Sequence, residues 1–146
     1  MSPAVAPAGY SGTSLAQKLG LKDGQCVLFI ALPQSLEELR IARQFGEMAQ
    51  AGWQNFTDRE PGYDVIHGFT ASRAELEQAA KPLMAAIARE GSIWISWPKK
   101  ASGVATDITE DVIREVILPI GLVDVKVCAV DAVWSGLKLV IRKELR

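Results

Sequence analysis

The run Gln-Cys-Val-Leu-Phe-Ile-Ala-Leu at residues 25–32 is apolar throughout after its first residue. A strand with one wet face alternates apolar and polar side chains, so an unbroken run marks a strand buried on both faces. That is the environment of a parallel sheet covered by helices. Pro33 ends the run, because proline cannot donate to a ladder. Asp64–Phe69 and Ser92–Trp97 are further apolar strands, and helix starts fall between them. Ser35-Leu-Glu-Glu38 and Ser72-Arg-Ala-Glu75 both match the capping-box pattern. The first predicts a helix with Leu39, Ala42, Phe45 and Ala49 inward, weakened by Gly46. The second predicts a helix burying Leu76, Ala80, Leu83, Met84 and Ile87, kinked or split by Pro82 and closed by Gly91.

Shorter elements complete the pattern. Leu15–Leu19 reads as a brief helix, with Ser11, Thr13 or Ser14 as cap and Gly20 as stop. Trp53–Thr57 is predicted as a short strand, followed by a loop through Asp58–Gly62. A helix over residues 108–118 buries Val112, Ile113, Val116 and Ile117 and ends at Pro119 and Gly121. After that, Val123, Val125 and Val127 alternate with Asp124 and Lys126, and Leu137, Leu139 and Ile141 with Lys138 and Arg142. Period-two alternation means strands with one wet face, here an antiparallel hairpin. The expected fold is α/β: a Rossmann-like, mostly parallel sheet of about six strands, with helices on both faces and an antiparallel C-terminal hairpin. The last three strands with their helices look like the carboxyl half of a class I methyltransferase fold, in which an antiparallel final strand inserts beside its predecessor.

The chain of 146 residues fits a single domain with a sizeable core. Residues 1–9, rich in Pro and Ala, are expected to form a mobile arm, and residues 10–146 the domain. Residues 1–9 show no basic or apolar stretch of a signal peptide, and no apolar run of the chain suits a membrane span. The formal net charge of −1 gives no global field toward nucleic acid or anionic lipid, so any anion site must be local. The reading is therefore of a cytoplasmic protein with no nucleic acid or membrane partner. A homo-oligomer is compatible with the sequence but does not follow from it. Cys26 and Cys128 lie in strand-like runs and are expected to be buried, reduced thiols. Two cysteines and one histidine do not make a structural zinc site.

Three segments resemble a bacterial family of small proteins of unknown function. They are Tyr-Ser-Gly-Thr-Ser-Leu-Ala-Gln-Lys-Leu-Gly at 10–20, Trp-Pro-Lys-Lys-Ala-Ser-Gly-Val-Ala-Thr-Asp at 97–107, and Gly-Leu-Val-Asp-Val-Lys-Val-Cys-Ala-Val-Asp at 121–131 with Trp-Ser-Gly-Leu-Lys at 134–138. The resemblance runs from Tyr10 over nearly the whole chain. Ser14 departs from it, since proline stands there in the family, and residues 44–63 carry no matching motif. The resemblance implies no particular activity.

Open sheets hold ligands at the carboxyl ends of their strands, which directs attention to Lys99, Lys100, Ser102, Gly103, Thr106 and Asp107 after the fourth strand. Loop amides and two ammonium groups there suit a phosphate or carboxylate, although Asp107 itself reads as a helix cap. Trp134 and Ser135, placed in the hairpin connection, and Tyr10 are the remaining candidate ligand contacts; Trp134 is read first as a lid on the core. No catalytic residue is assigned. His67 sits mid-strand, where no general base belongs. No Gly-x-Ser-x-Gly elbow is present, and Asp107, Glu110 and Asp111 complement a helix dipole. The first strand exits through Ala31-Leu32-Pro33-Gln34-Ser35, without the glycines that bring backbone close to S-adenosylmethionine or a dinucleotide. No cofactor is expected. The leading expectation is a domain that binds a small anion at the Lys99–Asp107 loop. The alternatives are a protein-interaction module without a ligand pocket and, third, a divergent methyltransferase.

Overall fold

The computed structural model describes residues 14–56 and 58–146. The N-terminal arm, Tyr10, the alternative caps Ser11 and Thr13, and Thr57 lie outside the described residues. Strands β1 (Cys26–Ile30), β2 (Glu47–Ala51), β3 (Tyr63–Phe69), β4 (Ile87–Pro98), β5 (Leu122–Ala129) and β6 (Trp134–Ile141) form one sheet in the order β2-β1-β3-β4-β6-β5. β2, β1, β3 and β4 run parallel, and β6 inserts antiparallel between β4 and β5. This is the mixed, Rossmann-like sheet that the apolar runs predict.

Helices cover both faces. On one face α2 (Arg73–Ala86) and α3 (Glu110–Ile117) pack on Leu28, Ile66, Ile93, Ile95 and Leu139. On the other, α1 (Leu15–Lys18) and a 3₁₀ segment (Gln34–Ile41) pack on Val27, Phe29, Val65, Phe69 and Trp94. The caps follow local chemistry. The Ser14 hydroxyl accepts from Gln17 N at 3.1 Å and the Ser72 hydroxyl from Glu75 N at 3.2 Å. The Ser72 box is only half made, because the Glu75 carboxylate accepts from the Thr70 hydroxyl at 2.6 Å.

Several expectations are corrected. The helix predicted from Ser35 to Ala49 is a 3₁₀ segment with a non-helical Leu36 and Pro33 as its N-cap, and Ala49 belongs to β2, opposite Leu28. The chain is pinned there because Gly46 N and Glu47 N both donate to Gln25 O, at 2.8 and 3.3 Å. A Cβ on Gly46 would stand 2.7 Å from Gly24 O, so glycine permits that approach. Trp53 is in a turn, not a strand. Ile87 and Gly91 belong to β4 rather than to the end of α2. A Cβ on Gly91 would meet Tyr63 O at 2.8 Å and Asp64 O at 2.9 Å, and the β3–β4 ladder shifts register beside it. Pro82 is carried on the exposed side of α2, which runs unsplit past it. Thr109, not Asp107, caps α3, its hydroxyl accepting from Val112 N at 3.2 Å. Cys26 and Cys128 are free thiols but half-buried, not buried. No helix among the described residues is long and apolar enough to cross a membrane.

Candidate functional site

The carboxyl edge of the sheet gathers the ends of β1, β2, β3 and β4. β1 leaves through Ala31, whose φ of 56° is the left-handed conformation that glycine adopts freely and alanine only under strain. Leu32 and Pro33 follow. Beyond β2, Trp53 swings past the end of β1, and its indole N–H donates to Phe69 O at the end of β3, at 2.8 Å. Phe56 meets the Trp53 ring edge-on at 6.4 Å. The ring lies directly over Gly68: a Cβ there would stand 2.5 and 2.6 Å from two indole carbons. The cleft left beside Leu32, Pro33, Gln34, Glu37 and Gln50 measures about 260 Å³, smaller than the roughly 300–1,000 Å³ of small-molecule sites. An S-adenosylmethionine or dinucleotide seat needs bare backbone at this exit. A methylated left-handed residue, Leu32-Pro33 and the indole do not fit such a group.

Gly68→Ala is expected to destabilise the protein by roughly 1–3 kcal/mol through overpacking against Trp53. The loss should shrink in Gly68→Ala/Trp53→Leu, where the smaller side chain makes room. Urea unfolding of the two single variants and the double variant measures this coupling. Additive losses would mean that Trp53 is not seated on Gly68.

The loop after β4 is built differently from a bare cradle. Lys99 N donates to Val133 O at 2.7 Å, which ties the loop to the β5–β6 turn. The Ser102 hydroxyl donates to Lys99 O at 2.6 Å and accepts from Val104 N at 3.2 Å. Gly103 is left-handed, with φ 78°. The Thr106 hydroxyl donates to Ala71 O at 2.8 Å and accepts from Ile108 N at 3.0 Å. The Asp107 carboxylate accepts from Arg73 N at 2.7 Å, so it serves the start of α2 rather than that of α3. Thr106 and Asp107 thus join the loop to α2, while Lys99 joins it to the hairpin. Lys100 is exposed and Lys99 half-buried, and among the described residues neither forms an ion pair.

Trp134 and Ser135 belong to β6, paired with Pro98 and Trp97, and not to the hairpin connection. Trp134 is half-buried and meets Phe69 edge-on at 5.3 Å. The connection is instead made by residues 130–133, closed by the Asp131 carboxylate accepting from Val133 N at 2.8 Å and Trp134 N at 2.7 Å. Glu110 and Asp111 both pair with Arg114, which also bonds Asp124 at 3.0 Å; these acids are structural partners of a helix. His67 is buried, with Nε2 2.6 Å from the Ser96 hydroxyl and its ring stacked on Phe69 at 4.2 Å. Burial lowers its pKa from 6.5 to about 3. A neutral imidazole in the middle of the sheet does not serve as a general base at an open site.

The sheet order, with its single antiparallel strand next to the edge, defines a class I methyltransferase-like fold. No family model and no curated protein matches the chain. Solved structures do. The N-methyltransferase NodS from Bradyrhizobium japonicum is similar at TM-score 0.58 and 14% identity, over 83% of this chain and 88% of that one. The magnesium protoporphyrin IX methyltransferase of Synechocystis, solved with bound SAM, gives 0.60 and 12%, over 83% and 71%. A chain in the complex between the Haloferax volcanii Trm112 methyltransferase activator and its putative methyltransferase gives 0.63 and 9%, over 88% and 87%. Identities this low establish a shared fold and nothing finer.

Proposed function

We propose that this chain is a binding protein built on a methyltransferase scaffold, one that holds a small anion at the Lys99–Asp107 loop and transfers no methyl group. The observation that carries the reading is the position of Lys99 and Lys100. Two ammonium groups without an ion-pair partner among the described residues leave β4 at the edge where open sheets bind ligands. The 3₁₀ turn at Lys100–Ser102 and the left-handed Gly103 hold them there. The Trp53 ring across β1 supports the absence of methyl transfer.

Thermal-shift titration with inorganic phosphate, nucleotides and S-adenosylmethionine tests both halves. Phosphate or a nucleotide should stabilise the wild type, more weakly as salt is raised. Lys99→Ala/Lys100→Ala should lose that response with little loss of stability, because neither side chain makes an ion pair among the described residues and Lys99 ties the loop to Val133 through its backbone amide, which alanine keeps. S-adenosylmethionine should give no shift, and micromolar affinity by calorimetry would restore the divergent methyltransferase reading.

A second reading is a protein-interaction module. Its support is the edge strand β5, where Val125 and Val127 are 54% and 53% exposed. A fold neighbour solved with an activator protein is a precedent for partners on this scaffold. If no anion shifts the wild type, or the double variant responds equally, the loop is a connector and this second reading takes its place.

A further inference from the structure

Beside α1, the 3₁₀ segment Gln34–Ile41 carries two rows of side chains. In a 3₁₀ turn residues three apart eclipse one another, and burial here follows that spacing. Leu36, Leu39 and Ala42 form the row that packs on the sheet, with Leu36 and Leu39 buried. Ser35, Glu38 and Ile41 form the next row, which is exposed throughout. Ile41 is 77% exposed, more than any other large apolar side chain among the described residues. An isoleucine left in water gains nothing from folding. The two rows and α1 line a groove of about 510 Å³, with Ala16, Leu36 and Leu39 as its buried floor.

The charges along this segment are ordered. Glu37 and Glu38 precede Ile41, and Arg43 follows it. Glu37 is engaged by Arg40 at 2.6 Å. Among the described residues Glu38 meets no cation and Arg43 no carboxylate. Arg43 donates instead from Nε to Leu21 O at 3.1 Å and from Nη1 to Ala42 O at 2.9 Å, which holds its guanidinium at the rim of the groove. An exposed apolar residue with an acid on one side and a base on the other is complementary to its own copy turned through half a revolution. Closed dimers use such isologous contacts.

We propose that this groove is the contact by which two copies of the chain associate about a two-fold axis. The Ile41 side chain of each copy rests in the groove of the other, and Glu38 of each faces Arg43 of the other. Burial of two isoleucines drives the association, and the two rim ion pairs set its register. A contact of this size belongs at the low end of specific interfaces, with a dissociation constant on the order of 10 µM. The groove shares no residue with the Lys99 loop or with β5, so the dimer stands or falls independently of either reading above.

Sedimentation velocity on the full chain tests it. The wild type should pass from monomer to dimer between about 1 and 500 µM. Ile41→Asp should weaken association at least about a hundredfold, because two buried side chains are lost per dimer. Placed at so exposed a position, it should leave the Tm of the dilute protein unchanged. Glu38→Arg and Arg43→Glu should each stop self-association, since each sets like charges opposite one another twice. An equimolar mixture of the two should form a heterodimer, in which both pairs are again of opposite sign. Arg43→Glu also loses the bond to Leu21 O; if that variant folds poorly, Ile41→Asp and Glu38→Arg decide the matter by themselves. A wild type that stays monomeric at about 500 µM overturns the dimer, as does an Ile41→Asp variant that associates as the wild type does. Two folded charge variants that remain monomeric when mixed overturn it equally. A monomeric wild type whose Tm falls on Ile41→Asp would mean instead that the groove is filled from within the same chain.

Discussion

Lowering the pH from 7 to 4 should remove roughly 3 kcal/mol of folding stability through His67 alone. The imidazole is enclosed by Phe69 and Trp94, and burial holds its folded pKa at about 3 against an ordinary 6.5. As pH falls below 6.5 the unfolded chain takes up the proton and the folded chain does not. Protonation therefore pulls the equilibrium toward unfolding. The slope approaches 1.4 kcal/mol per pH unit between about pH 6 and pH 4, and flattens below the folded pKa, where both states carry the proton. Carboxylates titrate over part of this range, so the decisive quantity is a difference. His67→Gln keeps a polar partner for the Ser96 hydroxyl but has nothing to titrate. It should cost about 1–2 kcal/mol at pH 7 through altered packing and hydrogen bonding. Its stability should then fall less steeply, so that the two urea-derived curves cross at about pH 5–6 and the variant is the more stable protein at pH 4. Parallel curves would show that His67 reaches solvent and protonates without unfolding.

The histidine illustrates what the sequence makes legible. A lone His between Ile66 and Gly68 in an apolar run belongs to the core, and the structure buries it there. β1, β3 and the second half of β4 were equally readable, because a strand covered on both faces needs uninterrupted apolar residues. β5 and β6 were readable from their alternation. β2 was not. Glu-Met-Ala-Gln-Ala contains no β-branched or aromatic residue, and its local preference is helical. It becomes a strand because Gly46 and Glu47 are tethered to Gln25 and the next residues fall into register with β1. Tertiary pairing overrides propensity there.

The site was legible only in outline. The absent glycines after β1 argue against a nucleotide seat from sequence alone, but the ring of Trp53 over that exit requires knowing that β1 lies between β2 and β3. One signal was available: a glycine inside an apolar strand, as at Gly68, often marks the close approach of another group. The partners of Asp107 were hidden for a similar reason. Its spacing before α3 resembles a cap, yet the neighbouring α2 offers a free amide closer in space.

Trp94→Ala should be the most damaging single change, with an expected loss of about 3–5 kcal/mol. The side chain is fully buried, and its indole N–H donates to Leu19 O at 2.9 Å. That bond fastens α1, a helix of four residues, to the centre of the sheet. A helix so short does not persist by itself, because nucleation is unfavourable and only tertiary contact compensates. A domain with a total stability of about 5–15 kcal/mol has little margin for such a loss. Trp94→Phe separates packing from the hydrogen bond. It keeps much of the apolar ring but leaves the Leu19 carbonyl without its donor, at a cost of about 1–3 kcal/mol. In this variant hydrogen exchange should quicken first at Lys18 and Leu19, whose amides close the α1 turn onto Ser14 and Leu15. The amides of β3 should keep their protection, since their ladders to β1 and β4 remain intact. Uniform loss of protection across α1 and β3 would mean that α1 unfolds only with the whole domain, and that Trp94 acts through the core rather than as the anchor of that helix.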